Sequence, residues 1–459
     1  MTGYQYRPYT KIDLSVAMEA GVAEALERHF AQHFGGQEDL SFAYWQPSRG
    51  MSRYSAILQS VNLPKEDERV LQGNVAFTVE YLSRTLRERP KDCGVALIHS
   101  HLGPGWQGMS HDDVVAERDR LAGVVCSQTG LPLVGLTWGT DGSWSGRFWL
   151  RTGRHRYAIR QAISVRSVGR RLGLSFHPIL RGEQKANPAQ AATVSVWGEK
   201  AQSQLRRAHI GIVGVGSVGS IVAEALARIG VERITLIDYD RIETRNLDRT
   251  LGTVRLDAVL HRRKVAIGRR QVGRSHTSRC SWVRSVPRSL LTEKGLAVAL
   301  DCDVLISCVD RPLPRSILNA VAYAHLIPVI DGGIIARVDD AGKLMHVDWR
   351  IHTVGPGYGC LYCIDALRRS DVALDRDGLL EDPDYVRGLS PADRERYGRR
   401  NVFAFSLSVA AHEVLQLVTL ISGNQRVGGI GGQVYHGYPG AMEVRESMCC
   451  SPECEVGRL

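Results

Sequence analysis

The chain has 459 residues, too many for one hydrophobic core, and its 44% hydrophobic and 7% aromatic content is that of folded globular domains. No run approaches the roughly 18 unbroken apolar residues of a membrane span, and the opening MTGYQYRPYTKIDLSV lacks the apolar core of a signal peptide, so no membrane partner and a cytoplasmic location are expected. The net charge of +10 comes from arginines spread through both halves, denser over 151–181 and without interleaved aromatics, which reads as a solvated basic face rather than a nucleic-acid site.

In chain order, residues 14–34 carry apolar side chains at helical spacing and stop at Gly35-Gly36, which predicts a helix. Glu38 follows at a loop-to-strand junction, ahead of the apolar run LSFAYW. A strand over 55–63 and a helix over 75–88 come next. The stretch VALIHSHLGPGWQGMSHDD, residues 95–113, carries the chemistry of this half. His99 and His101, two apart on a strand, present both imidazoles on one face. A glycine-rich loop leads to Ser110-His111-Asp112-Asp113 at the start of a helix, with His111 in solvent. Two imidazoles and one carboxylate, from Asp112 or Asp113, make a three-ligand zinc site with a fourth position open to water, which is a hydrolase design. Such a site also needs a base and an oxyanion donor, for which Glu38 and Ser110 are the candidates, with Glu66 and Glu68 as alternative bases.

This pattern of an upstream Glu, H-x-H and S-x-x-D resembles the JAMM (JAB/MPN) metalloprotease family. The resemblance implies that His99, His101 and Asp113 bind zinc, that Glu38 is the base and that Ser110 holds the oxyanion. The gap from His101 to Ser110 is one residue longer than the usual spacing, and Leu102 replaces the common proline. Residues 131–152 then read as two closing strands joined by Thr140–Ser143, and the arginine-rich segment past 153 runs into a linker composition over 181–190. Two domains are expected, 1–184 with a basic linker and 185–459.

The second half opens with a helix over 194–207 and an apolar strand, Ile210–Val213, that enters a turn with Gly214, Gly216 and Gly219. A helical pattern up to Gly230 and a second strand ending in Asp238 complete a βαβ unit whose glycines admit phosphates and whose carboxylate suits ribose hydroxyls. That much also fits a nicotinamide oxidoreductase. Asn246-Leu247-Asp248-Arg249 and Lys264 add two cations, which a triphosphate attacked at its α-phosphorus needs and a dinucleotide does not. Together with Asp238-Tyr239-Asp240, and with Asp310 and Arg315, these residues resemble the ThiF/MoeB/HesA superfamily of adenylating enzymes over about residues 190–459. The fold implied is α/β throughout, an α/β/α hydrolase domain followed by a Rossmann-like doubly wound sheet. ATP and Mg²⁺ would be held by Gly214, Gly216, Gly219, Asp238, Asp240, Asn246, Arg249, Lys264 and Asp310, and the protein would be a homodimer. Asp310 ends a strand over 304–309, and another strand runs from Ile327 into Gly332-Gly333, leaving room for a thin peptide tail.

Ten cysteines in a chain without a secretion signal argue against disulfides. Cys360 and Cys363, with Cys454 and either Cys450 or Cys449, would form a structural four-thiolate zinc clamp. Residues 364–448, where thioester-forming relatives place a nucleophile, contain no cysteine, and Cys308 reads as core. The whole is similar to a fused JAMM isopeptidase and ThiF-like enzyme of prokaryotic ubiquitin-like conjugation. That resemblance implies a small β-grasp partner whose tail is trimmed and adenylated, and a conjugating enzyme or sulfur donor that accepts the acyl group. The alternatives are a sulfur-carrier activator, or a binding module with one half inactive.

Overall fold

The computed structural model describes residues 12–32, 36–72, 74–183, 187–339, 343–390, 401–424, 430–445 and 449–459. It divides into two compact units, Met1–Val168 with Gly173–Glu183, and Gly169–Leu172 with Gln184–Leu459. The expected boundary at 184/185 lies outside the described residues, as does the helix stop at Gly35.

The first unit is built on nine strands: β1 (Asp13–Glu19), β2 (Leu40–Arg49), β3 (Arg53–Asn62), β6 (Gly94–Ser100), β7 (Leu133–Trp138), β8 (Trp144–Gly153), β9 (Arg156–Gln161), β10 (Ser164–Val168) and β11 (Leu172–Phe176), with a separate hairpin of β4 (Arg69–Gln72) and β5 (Asn74–Phe77). Their order is β11-β10-β1-β3-β2-β6-β7-β8-β9. Residues 14–34 are thus not one helix. Leu14, Val16 and Met18 lie on β1, which pairs in parallel with β3 and β10, and only Ala20–Phe30 is helical. A strand flanked on both sides is apolar on both faces, and so it merges with the helical pattern that follows. The helix expected over 75–88 starts at Val79, after β5, where the Thr78 side chain caps Tyr81 N–H. The arginine-rich stretch is not a linker either. It forms β9, β10 and β11, and Arg166 on β10 is fully buried.

Ala20–Phe30 packs its Ala23, Leu26 and Phe30 on one face of this sheet, with Trp45, Tyr54 and Phe148. Val79–Glu88 and a helix over 111–129 cover the other face, where Phe42, Tyr81, Leu97, Leu121, Val125 and Trp149 meet. The result is the α/β/α layering that lifts the end of β6 toward the second helix pair.

The second unit carries an eight-stranded sheet of β12 (His209–Val213), β13 (Arg233–Ile237), β14 (Trp282–Val286), β15 (Val304–Ser307), β16 (Val329–Val338), β17 (Leu344–Val354), β18 (Gly432–His436) and β19 (Ala441–Arg445). The order is β14-β13-β12-β15-β16-β17-β18-β19, parallel from β14 to β16 and antiparallel beyond. The chain turns left from β12 to β13 and right to β15, which opens a crevice at the carboxyl ends of β12 and β15. Phe403–Ser422 is long and apolar enough to cross a membrane, yet most of it is buried, with Ser406, Glu413, Gln416 and Thr419 among its inward residues. Gln416 accepts from Thr353 Oγ1 (2.7 Å) and donates to Gly431 O (2.9 Å), contacts of a core helix rather than of a lipid-facing one.

Candidate functional sites

The ligand set of the first unit comes from two elements. His99 is on β6 and His101 just past it, held by its N–H on Trp138 O (2.9 Å), while Asp113 lies in the first turn of the helix that Ser110 starts. His99 Nε2 is 3.1 Å from His101 Nε2 and 3.5 Å from Asp113 Oδ1, and His101 Nε2 is 3.3 Å from Asp113 Oδ2. A tetrahedral zinc with bonds of about 2.0–2.1 Å sets its ligands roughly 3.3–3.4 Å apart, so the donors and their spacing fit that ion. Asp112 is exposed and outside the cluster, as is His111. Burial opposes the charge on Asp113, but hydrogen bonds from His101 and His99 outweigh it and hold this carboxyl far below its usual range. His101 is raised by its hydrogen bond to Asp113 against burial, with the charge of Glu38 adding to the rise and that of Arg147 opposing it.

Ser110 and Asp113 form a capping box: Asp113 N–H donates to Ser110 Oγ (3.1 Å) and Ser110 N–H to Asp113 Oδ2 (2.8 Å). Because Ser110 Oγ accepts there, its own proton stays available to an oxyanion. Glu38 is placed by sheet register. Leu40 pairs with His99, Ser100 N–H donates to Asp39 O (3.0 Å) and Asp39 N–H to Ser100 Oγ (3.0 Å), so the next position outward, Glu38, comes toward His101, to whose rise its charge adds. Asp39, which carries no motif, is the anchor. It is fully buried, 3.2 Å from His29 Nε2 and 2.9 Å from Arg69 Nε. Of the alternative bases, Glu66 is exposed and Glu68 is tied up by Arg84 and by Lys65 N–H (2.8 Å), whose bonds hold it below the usual carboxylate range.

In the second unit the glycine turn follows β12. Gly214 has φ +89°, and a Cβ there would lie 2.5 Å from Cys308 O, so the loops after β12 and β15 touch through a residue without a side chain. Gly219 lies against Gly214 O, again too close for a Cβ, and Gly216 stands just before the helix Ser217–Ile229. Asp238 accepts from Val215 N–H and Asp240 N–H, both at 2.7 Å, and thereby fixes the turn; burial pushes its carboxyl up. Asp240 holds Lys264 Nζ at 2.7 Å. Arg249 O accepts from Ser217 Oγ (2.9 Å), bringing the Asn246–Arg249 segment to the helix start, while Asn246 Oδ1 caps Glu243 N–H (2.9 Å). Asp310 is exposed, next to Val309, whose Cγ1 lies 3.1 Å from where a Gly214 Cβ would be. The helix after it, Pro312–Ala324, has Arg311 at its N-cap, not Asp310.

Arg315 is not aimed at Asp310. It holds Asp331 through Nε (3.0 Å) and Nη2 (2.7 Å), joined by Arg350 Nη2 (2.9 Å) and Ser307 Oγ (2.8 Å). The sequence gives no local sign of this buried cluster, whose members sit on four elements. Cys308 lies just beyond β15 rather than inside it, with its thiol on Glu413 Oε2 at 3.6 Å; burial first, then Glu413, push that thiol well up, which keeps it protonated and unreactive.

Cys360, Cys363, Cys450 and Cys454 converge, with Cys360 Sγ 3.6 Å from Cys454 Sγ, against about 3.8 Å between thiolates on one tetrahedral zinc. Cys450 Sγ also accepts Cys360 N–H at 3.1 Å. Burial acts to raise Cys454, but Gly457 N–H and the Cys360 and Cys363 thiols outweigh it and bring it down to about 7. Cys449 is exposed and turned to Gly357 O (3.8 Å). Accordingly, Cys450→Ser should cost one zinc per chain and lower the melting temperature, while Cys449→Ser should do neither. Equal zinc loss in the two variants, by metal analysis, would reverse that assignment.

The ThiF family model matches residues 189–444. Among characterised proteins, the tRNA threonylcarbamoyladenosine dehydratase of Escherichia coli (strain K12) is 32% identical over 151 residues, covering 32% of this chain and 54% of that protein. The molybdopterin-synthase adenylyltransferase of the same strain is 28% identical over 168 residues, 36% of this chain and 62% of that protein. Ubiquitin-like modifier-activating enzyme 5 of Drosophila mojavensis is 29% identical over 143 residues, 29% of this chain and 36% of that protein. The chain thus spans less than two thirds of the length of these relatives. The crystal structure of E. coli MccB with ATP is 19% identical, with a TM-score of 0.44, covering 59% of this chain and 74% of that one.

Proposed function

The chain belongs to the ThiF family, and from that premise we propose that its second unit adenylates the C-terminal carboxylate of a small ubiquitin-like, β-grasp protein, while its first unit is a JAMM-type zinc peptidase acting on the same tail. What supports the adenylation reading is the set of contacts around the glycine turn: Asp238 on Val215 N–H, Ser217 on Arg249 O, Gly214 against the Cys308–Val309 loop that leads to Asp310, and the nearby Asp240–Lys264 pair. A tail carboxylate oxygen attacks the α-phosphorus of ATP, the bond to the β-phosphate oxygen breaks, and acyl-AMP and pyrophosphate result. The turn's N–H groups receive phosphate oxygens, and Arg249 and Lys264 offset the charge that moves onto pyrophosphate. Asp310 is assigned to Mg²⁺ and the nucleotide, since it stands on the loop leaving the carboxyl end of β15, three residues past Ser307, where the strand expected to reach Val309 ends, on the side of the sheet where such folds bind ligands. With no cysteine in 364–448 and a protonated Cys308, the acyl group passes to a thiol or sulfur donor on another protein.

The peptidase reading rests on the spacing of His99, His101 and Asp113. Zinc held there would polarise the scissile carbonyl and activate water. Glu38, whose charge acts on His101, takes the water's proton and returns it to the leaving amine, and Ser110 Oγ–H donates to the developing oxyanion. A second reading, activation of a sulfur carrier, draws on the molybdopterin-synthase adenylyltransferase relative and uses the same first step. A homodimer and a cytoplasmic setting are part of the proposal.

The test is ATP–pyrophosphate exchange by the purified chain with and without a β-grasp protein encoded beside it. Exchange that needs that protein is expected. No exchange with any neighbouring candidate, while ATP binds and zinc is present, would leave the second unit a docking module.

A further inference from the structure

His99 lies on β6 and His101 just past it, tied to the end of β7, whereas Asp113 is carried by a helix. The ligand spacing therefore depends on where that helix rests against the sheet. Directly after the short turn His111–Val115 the helix widens into a π segment, Ala116–Leu121. Such widened turns re-aim a side chain that regular α geometry would leave elsewhere. Here the residue turned inward is Glu117, which is fully buried while Arg118, Asp119 and Arg120 stay exposed.

Glu117 stands four residues after Asp113 and is the polar anchor of this helix. Its carboxylate takes Arg147 Nε at 2.8 Å and Nη2, and the indole N–H of Trp149 at 2.6 Å. Arg147, equally buried on β8, continues through Nη1 to Thr137 Oγ1 at 2.7 Å, and Thr137 is the residue paired with His99 across β6 and β7. Gly135 leaves the room: a Cβ there would stand 2.5 Å from Glu117 Oε2 and 2.6 Å from Arg147 Nε. A continuous chain of hydrogen bonds thus runs from the Asp113 helix to the strand neighbour of His99.

A buried ion pair of this kind is weak evidence of a stabilising role, because well-packed apolar replacements are often as stable or more so, whereas removing one partner is costly. We propose that Glu117 and Arg147 are positioning residues: they seat the π segment so that Asp113 meets His99 and His101 at metal-binding distance, without touching metal or substrate themselves. The inference rests on the zinc reading of those three residues.

The test compares the full chain with Glu117→Gln, the double variant Glu117→Leu/Arg147→Met, and His101→Ala, by zinc content under chelator competition and by thermal unfolding. His101→Ala identifies the zinc of the first unit. If it changes nothing, the zinc reading itself fails, separately from the positioning claim. The double variant is expected to stay folded, unfolding below the wild-type temperature because the Trp149 indole N–H loses its acceptor, but above Glu117→Gln, which strands a buried charge. While folded it is expected to hold that zinc about 10–100-fold more weakly, the usual effect of losing an outer-shell support. Glu117→Gln, which strands Arg147, is expected to weaken zinc as well. Wild-type zinc affinity in the double variant overturns the proposal. So does zinc loss that only follows loss of folding in every variant, because the pair would then be part of the core and nothing more.

Discussion

Asp310→Ala should lower ATP–pyrophosphate exchange by about 10²–10³-fold, the size of effect expected when one preorganised electrostatic partner of the transition state is removed. The side chain is exposed at the mouth of the crevice, beyond β15 and beside the glycine turn, and it does not cap the following helix. Its loss removes no helix cap, and the zinc content should match the wild type, with the melting temperature read alongside exchange to separate chemistry from folding. Lys264→Ala should also lose exchange, but with a different signature. Lys264 is mostly buried against Asp240, so its removal leaves that carboxylate facing the incoming phosphates and should weaken ATP binding along with turnover. Exchange within about threefold of wild type in Asp310→Ala would remove this carboxylate from the chemistry.

Much of both sites was legible because their motifs are local. The glycine turn with Asp238, the H-x-H pair and Cys360–Cys363 each encode geometry within one strand, turn or loop, where the period of the backbone decides which side chains meet. Glu38, two residues before β2, depends instead on a pairing, Leu40 opposite His99. What stayed hidden was set by pairing across the chain. Leu14, Val16 and Met18 look helical until β3 and β10, from residues 53–62 and 164–168, flank them. Arg166 looks like solvent-facing charge until β10 is enclosed between β11 and β1. Asp331 meets Arg315 and Arg350, and Glu117 meets Arg147, from separate elements whose spacing obeys no short rule. The same reason decides Cys450 over Cys449: adjacent residues in a terminal segment are told apart only by the fold that closes over one of them.

The second large effect concerns the first unit. Glu38→Gln should leave zinc content unchanged and slow cleavage of a tail-extended β-grasp protein by about 10²–10⁴-fold, the contribution of a positioned general base. The amide keeps the shape and the hydrogen bonds of the 38–40 segment, which are made by Asp39 and the backbone, so the base is lost without disturbing the ligands. His101→Ala should abolish cleavage by a different route, costing the zinc of the first unit, because only His99 and Asp113 would remain to hold it. In both variants ATP–pyrophosphate exchange should persist, since the adenylation residues all lie in the other unit. Ser110→Ala should fall between: it removes the oxyanion donor, for about 10²–10³-fold, and the helix cap, for about 1 kcal/mol. Zinc-replete Glu38→Gln that cleaves at the wild-type rate would take the base role away from Glu38. Loss of cleavage in Glu38→Gln together with zinc would instead show that this carboxylate had been supporting the ligands, a role that its charge acting on His101 would also allow.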